Sequence, residues 1–310
     1  SPLMRRLPTH FVLRAAALLA LGALFPGFSA ALEIASLHPL VGDMAREIGG
    51  DRVTVVEWIG PGDNPHEFDP SPRALGSGAD AELVLASGKG LESSYLGKVR
   101  ELLSGNQRVV ETGRRVHSLV AADGNPAPCC AHHRHSGVVD PHWWHDPDNM
   151  RRAARDLADA MAEADPENAD FYRANADRYR EELARLDDWV ENRLAEIPPE
   201  RRVLATSHLA FGYFCRKYDF TAVGIQGLNR EDSPSPKALG EIIAWLREND
   251  VPAIFPEVGA NPKALRTIAA ESGIPLGDPL YADGTGLPPG EGYAEMMRAN
   301  VDAIVRGLAP

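Results

Sequence analysis

Short runs rich in apolar and β-branched residues alternate along the chain with longer segments of helical period. They predict strands over 32–37, 53–59, 81–86 and 108–111 in the first half, and over 202–206, 221–225, 253–257 and 275–278 in the second. Strands separated by helix-length segments are typical of βαβ units, whose strands pair in parallel. The pattern therefore predicts an α/β fold with one parallel sheet in each half of the chain.

A segment between the two halves keeps a helical period without interruption. Its apolar positions recur every three or four residues, at Tyr172, Ala176, Tyr179, Leu183, Leu186, Val190, Leu194 and Ile197. Asp165 suits the N-cap, Pro166 suits the first helical position, and Pro198 with Pro199 ends the pattern. The spacing predicts one helix of about 32 residues and about 48 Å, which would join two lobes as a stiff connection.

The length of the chain agrees with two lobes, since 310 residues exceed what one hydrophobic core usually serves. We expect an N-terminal lobe over 32–164, a linking helix over 165–198 and a C-terminal lobe over 199–310. A short internal repeat, PSPRALG at 70–76 and PSPKALG at 234–240, has two readings. It represents either two similar helix starts or two related lobes whose equivalent loops face each other across a cleft.

The first 31 residues have the pattern of a secretory signal peptide. Within them we take Ser1 to Leu3, which precede Met4, as a cloning remnant. Basic residues precede an apolar stretch over 15–25, and small residues follow up to Ala31. The apolar stretch is too short to span a bilayer. Because no cysteine lies near the predicted cleavage point, we expect a soluble periplasmic protein without a lipid anchor.

The net charge limits which ligands and partners the protein can bind, and the cysteine content limits its disulfide pairing. The formal net charge is −12, and the first 31 residues contribute only positive charge to it. An acidic chain is a poor partner for nucleic acid or an anionic membrane surface, and it is compatible with a cationic ligand. Of the three cysteines, Cys129 and Cys130 are adjacent and would form a strained pair, and either of them could instead pair with Cys215.

Four candidate metal ligands follow predicted strands, two in each half of the chain. They are His66, His142, His208 and Asp278, with Asp283 as an alternative to Asp278. Loops at the carboxyl ends of parallel strands meet at one edge of a sheet, so these side chains are expected to converge on a cleft between the lobes. Three imidazoles and one carboxylate suit a tetrahedral zinc ion.

The stretches GDNPHEFDPSPRAL, DPHWWHDP, TSHLAFGYF, SPSPKALGEII and GDPLYADG, in this order, resemble the zinc-specific solute-binding proteins of metal ABC transporters. The resemblance covers nearly the whole chain after residue 31. It implies two α/β lobes joined by a rigid helix, with His66, His142, His208 and Asp278 as ligands, and it favours Asp278 over Asp283. Manganese- and iron-binding relatives have Glu where this chain has His208, which favours Zn²⁺ here.

A histidine- and cysteine-rich run precedes His142. Its members Cys129, Cys130, His132 and His133, together with His135 and the later His145, are candidates for auxiliary metal capture. The run lacks a strand or helix period that would fix its geometry, so it is expected to gather zinc loosely in front of the main site; a solvated linker is the alternative.

Two acidic residues and one departure from the family complete the candidate site. Glu67 and Asp69 are candidates for orienting His66 through hydrogen bonds. Where His145 stands, members of the family often have an apolar residue.

These observations predict a periplasmic zinc-binding protein that delivers Zn²⁺ to an ABC importer and is not an enzyme. The implied partners are a membrane permease and a periplasmic zinc chaperone, and the protein is expected to act as a monomer. A secreted zinc-dependent hydrolase is the alternative from another class, but such an enzyme keeps an open coordination position, and no HExxH or GxSxG motif is present. A manganese- or iron-binding member of the same family is the second alternative.

Overall fold

Two small parallel sheets organise the part of the chain that this computed structural model describes, residues 30–103, 105, 107–120, 137–229 and 234–310. The first sheet contains β1 (Leu32–Ser36), β2 (Val53–Glu57), β3 (Leu83–Ala86) and β4 (Arg108–Glu111), in the order β2-β1-β3-β4. The second contains β5 (Val203–Thr206), β6 (Thr221–Gly224) and β7 (Ile254–Phe255), in the order β6-β5-β7. Every strand pair is parallel, so the predicted α/β class is confirmed.

The strand predicted over 275–278 is wrong as a continuous element. In its place, isolated parallel bridges pair Leu276 with Ile254 and Leu280 with Glu257. Three prolines explain the interruption, because Pro256, Pro275 and Pro279 have no N–H to contribute to a ladder. The chain therefore continues beside β7 beyond residue 278 and turns away only after Leu280.

Helices cover both sheets. They span Pro39–Gly49, Pro72–Ser77, Leu96–Leu102, Pro147–Ala164, Ala169–Leu194, Gly212–Tyr218, Pro236–Glu248, Lys263–Ser272 and Tyr293–Leu308. Single 3₁₀ turns occupy Gly50–Arg52, Trp143–His145, Pro166–Asn168 and Pro199–Arg201. Both copies of the repeated motif begin a helix in the same way: Ser71 accepts the N–H of Ala74, and Ser235 accepts the N–H of Ala238.

The predicted linking helix is present as Ala169–Leu194, which we call the connecting helix. All eight of its predicted apolar positions are buried. It is shorter than expected because a 3₁₀ turn replaces its first residues and the chain turns at 195–197, before Pro198. The Pro147–Ala164 helix packs along it, so the connection between the sheets is a helical pair rather than a single isolated rod.

Side chains from successive strand positions enter different cores, as the period of two in a strand requires. In β1, Leu32 and Ile34 face a central core shared with the connecting helix and the C-terminal helix, whereas Ala35 faces an outer core of the first sheet. In β5, Leu204 faces the central core and Ala205 an outer core of the second sheet. Both sheets therefore pack against the same central core, which fixes the positions of their carboxyl ends. Among the described residues, no helix combines the length and apolarity needed to cross a membrane.

Candidate metal centre

Four buried side chains from distant parts of the sequence meet at the carboxyl ends of the two sheets. They are His66 from the loop after β2, His142 from the segment after β4, His208 from two residues beyond β5, and Asp283 from the loop after Leu280. His66 is 8% exposed and the other three are 0% exposed. Three of the four predicted ligands are thus brought together, and the fourth member of the cluster is Asp283.

All four donor atoms of the cluster lie within 4.8 Å of one another, and five of their six separations match those between the ligands of a tetrahedral ion. His142 Nε2 lies 3.2 Å from His66 Nε2 and 3.2 Å from His208 Nε2. Asp283 Oδ1 lies 3.6 Å from His66 Nε2 and 3.5 Å from each of the other two Nε2 atoms. Ligands about 2.0–2.2 Å from a tetrahedral zinc lie about 3.3–3.6 Å apart, whereas neighbouring octahedral ligands at the same bond lengths lie only about 2.8–3.1 Å apart.

Asp140 orients His142. One of its oxygens, Oδ1, accepts the backbone N–H of His142 at 2.9 Å and the ring Nδ1–H at 2.8 Å. Because Nδ1 donates, Nε2 is the ring nitrogen directed at the cluster, as is usual for metal-bound imidazoles. Burial raises the pKa of Asp140 to about 7, against the opposing effect of the N–H bond from His142. Asp140 is not among the predicted site residues, although it lies two residues before His142 in the DPHWWHDP stretch.

Glu257, two residues beyond β7, does the same for His208. Its Oε1 accepts the His208 backbone N–H at 2.9 Å, and its Oε2 accepts the ring Nδ1–H at 2.6 Å. Burial alone would lower the pKa of His208, but the carboxylates of Glu257 and Asp283 raise it to about 10. Conversely, burial alone would raise the pKa of Asp283, yet His208 and His66 hold it well below the usual range. The cluster is therefore an environment that favours a cation.

The structure does not place Asp278, the predicted fourth ligand, in this cluster. Its side chain is 58% exposed, and Oδ2 lies 2.8 Å from the Arg306 guanidinium on the C-terminal helix. The physical reason is the backbone pairing beyond it: the segment stays beside β7 until Leu280, so the first carboxylate to reach the edge of the sheet is Asp283. Asp283, the alternative that the sequence offers, is the aspartate that the structure brings into the cluster, although the resemblance favours Asp278.

Other predicted contributors lie elsewhere. Glu67 accepts a hydrogen bond from Asn229 Nδ2 at 3.0 Å, and Asp69 pairs with Lys98 at 2.5 Å, so neither is seen to orient His66. His145, predicted to take part in auxiliary capture, is 0% exposed and is not among the four clustered side chains.

The residues of the cysteine- and histidine-rich run lie outside the described residues. They are Cys129, Cys130, His132, His133 and His135. Cys215 is buried in the central core, and its pairing with Cys129 or Cys130 is likewise beyond the described residues.

Comparison with known proteins assigns the family. Residues 34–307 match the family described as ZnuA, the periplasmic zinc-uptake complex component A. The chain belongs to this family. Its members are the substrate-binding components of metal ABC transporters and not enzymes, so the protein is a periplasmic metal-binding component whose partner is a membrane transporter.

Relatives with different metals in their names share most of the chain. It is 31% identical over 280 residues to the manganese-binding lipoprotein MntA of Halalkalibacterium halodurans, which covers 90% of this chain and 89% of that protein. It is 29% identical over 279 residues to the iron-binding protein YfeA of Yersinia pestis, which covers 89% of this chain and 86% of that protein. Zinc specificity therefore does not follow from similarity to these relatives. Since MntA is named a lipoprotein, the expectation of an unanchored chain gains no support either.

A solved structure with the same architecture is the periplasmic zinc-binding protein TroA from Treponema pallidum. It superposes with a TM-score of 0.79 at 25% sequence identity and covers 91% of this chain and 100% of that one. The likeness confirms the two-lobed α/β fold with its long helix.

Proposed function

We propose that this protein captures Zn²⁺ in the periplasm, with His66, His142, His208 and Asp283 as ligands, and delivers it to the permease of an ABC importer. The observation that carries the proposal is the set of distances from 3.2 to 3.6 Å that joins three Nε2 atoms and one carboxylate oxygen. Four protein ligands complete a tetrahedral shell and leave no position for a reactive water, which suits binding and not hydrolysis.

The donor set supports zinc over manganese. Imidazole nitrogen is a good ligand for Zn²⁺, whereas Mn²⁺ prefers oxygen ligands and higher coordination numbers. Glu257 and Asp140 each direct an Nε2 atom into the cluster, and His66 supplies a third. Three of the four donors are therefore nitrogen.

The ligand assignment is tested by a pair of aspartate variants, Asp283→Ala and Asp278→Ala. We expect Asp283→Ala to weaken zinc binding roughly 100-fold or more, since structural zinc binding is worth about 10–16 kcal/mol over four ligands. Asp278→Ala, which removes an exposed partner of Arg306, should bind zinc as the unaltered protein does. The measurement is a zinc titration against a competing chelator. Equal affinities of the two variants would reject Asp283 as a ligand.

Selectivity is tested by His208→Glu, which replaces a nitrogen donor with a carboxylate. We expect the ratio of zinc to manganese affinity to fall, because the added oxygen donor suits the harder ion. Competition titrations with both ions, on the unaltered protein and the variant, measure that ratio. A protein that binds Mn²⁺ as tightly as Zn²⁺ before any substitution would overturn the zinc proposal while leaving metal binding intact.

We also propose that residues 129–135 gather zinc for the main site. The described residues after this run support the idea, because Val138, Val139 and Pro141 line a cavity of about 500 Å³ that also contacts His66. Deleting 129–135 should slow zinc uptake from a loaded donor such as a periplasmic chaperone and leave one tight site. Loss of the tight site on deletion would contradict the proposal.

We propose that the protein acts as a monomer. Light scattering of the purified protein, with and without zinc, tests the monomeric state. A stable dimer in both conditions would reject it.

A further inference from the structure

Two buried ring N–H groups converge on one carbonyl beside the cluster. Trp144 Nε1 donates to the Ala282 carbonyl oxygen at 2.9 Å, and His145 Nε2 donates to the same oxygen at 2.7 Å. Trp144 is 1% exposed and His145 is 0% exposed. We propose that His145 is a positioning residue for the Asp283 carboxylate and, with Trp144, sets the affinity and geometry of the metal site. The inference rests on the proposed function and concerns how the same site is tuned.

The contacted carbonyl fixes Asp283 through the peptide bond. The Ala282 carbonyl belongs to the planar unit that also contains the Asp283 nitrogen and Cα, so holding the oxygen holds the start of Asp283. On the other side, Gly284 has a φ of +70° and lies so close to Leu40 that an added Cβ would be 2.5 Å from Leu40 Cγ. The Asp283 backbone is therefore restrained from both ends.

The hydrogen-bonding state of His145 indicates a role as a donor. The Ala282 carbonyl oxygen can only accept, so the ring N–H in this 2.7 Å contact lies on Nε2. Nδ1 is buried with no hydrogen-bond partner among the described residues. The ring packs on Phe211, with 4.3 Å between ring centroids, as an apolar side chain would. An apolar residue would avoid the desolvation of Nδ1, so the contribution specific to histidine here is the Nε2–H donor.

The same contacts join two ligands. The Trp143–His145 turn begins directly after His142. One short segment therefore carries the ligand His142 and also holds the carbonyl group next to the ligand Asp283. His142 Nε2 and Asp283 Oδ1 lie 3.5 Å apart. A shift of the turn would consequently change the distance between two metal ligands that are far apart in sequence.

The test compares His145→Phe, which keeps a ring and removes the donor, with His145→Gln, which keeps a donor of similar reach. We expect His145→Phe to weaken zinc binding about 10- to 100-fold, the usual effect of removing a group that orients a ligand. It should also alter the visible absorption of the Co²⁺-loaded protein, which reports coordination geometry. His145→Gln should restore most of both properties. His117→Phe, at an exposed histidine, is the matched control and should behave as the unaltered protein does.

Thermal unfolding of the metal-free variants separates positioning from packing. A His145→Phe protein with unaltered zinc affinity and an unaltered Co²⁺ spectrum would overturn the inference, as would equal losses in the Phe and Gln variants. If His145→Phe does not fold, Trp144→Phe removes the second donor to the same carbonyl and should also shift the Co²⁺ spectrum; an unshifted spectrum there would overturn the inference. Absence of tight zinc binding in the unaltered protein would instead reject the proposed function.

Discussion

Two carboxylates determine which ring nitrogen of His142 and of His208 faces the metal site. Asp140 bonds to both the backbone N–H and the ring of His142, and Glu257 bonds in the same way to His208. Each imidazole is therefore fixed relative to its own backbone, with Nε2 directed at the cluster. Preorganisation of this kind reduces the entropy lost on binding, because the rings need not be ordered by the metal.

We expect Glu257→Gln and Asp140→Asn each to weaken zinc binding about 10- to 100-fold. The amide replaces a charged acceptor, so the bond to Nδ1–H is weaker and the imidazole is less basic. Competition titration with a zinc chelator measures the effect. Asp69→Asn is the control, since Asp69 is exposed and pairs with Lys98. Unaltered affinity in both buried variants would show that these carboxylates only contribute to folding.

The connecting helix is an element whose burial follows from its sequence period. Leu183 is 1% exposed and Val190 is 0% exposed, and the helix supplies none of the four clustered side chains. Stability and metal binding are therefore separable within this protein. The helix supports the two sheets, and the loops beyond their carboxyl ends carry the chemistry.

Leu183→Ala should lower the free energy of unfolding by about 2–5 kcal/mol, because the removed side chain leaves a cavity in the central core. The zinc affinity of the folded variant should not change. Urea unfolding of the metal-free protein and a separate zinc titration measure the two quantities. Glu181→Ala, at an exposed position of the same helix, should leave both unaltered. A large loss of zinc affinity in Leu183→Ala would contradict the separation.

At the scale of the whole molecule, polar contacts join residues of the first half to residues of the second. Lys217 lies 2.8 Å from Asp148 and 2.9 Å from Asp187, which ties the Gly212–Tyr218 helix to the helical pair between the sheets. Beside the metal site, Asn229 Nδ2 donates to Glu67 Oε1 at 3.0 Å, and both residues line the cavity next to His66. This second contact lies at the cavity that borders His66, the member of the cluster that is not fully buried.

Asn229→Ala should speed zinc release about 2- to 10-fold, the range expected for the loss of one or two partly exposed hydrogen bonds. Rapid mixing of the loaded protein with excess chelator measures the rate. Association should change less, since the ligands themselves are untouched. Asn261→Ala, at an exposed asparagine distant from the cavity, is the control. A release rate equal to that of the unaltered protein would show that the Glu67–Asn229 contact does not restrain the ion.

The sequence by itself determined the features that depend on local patterns. The period of apolar residues predicted the parallel strands and the connecting helix, and the strand ends identified His66, His142 and His208 before any contact was known. These predictions succeed because secondary structure and burial follow from the spacing of neighbouring residues. The assigned lobe boundaries remain predictions.

Only the tertiary structure decided between Asp278 and Asp283. Asp278 ends the last predicted strand and Asp283 follows it, and the choice depends on pairing beside β7, which prolines interrupt and Leu280 resumes. It also revealed that Glu257 bonds to His208 and that His145 bonds to Ala282. These contacts join residues far apart in sequence, so their formation depends on how the two sheets and the helices between them pack, which no local period records.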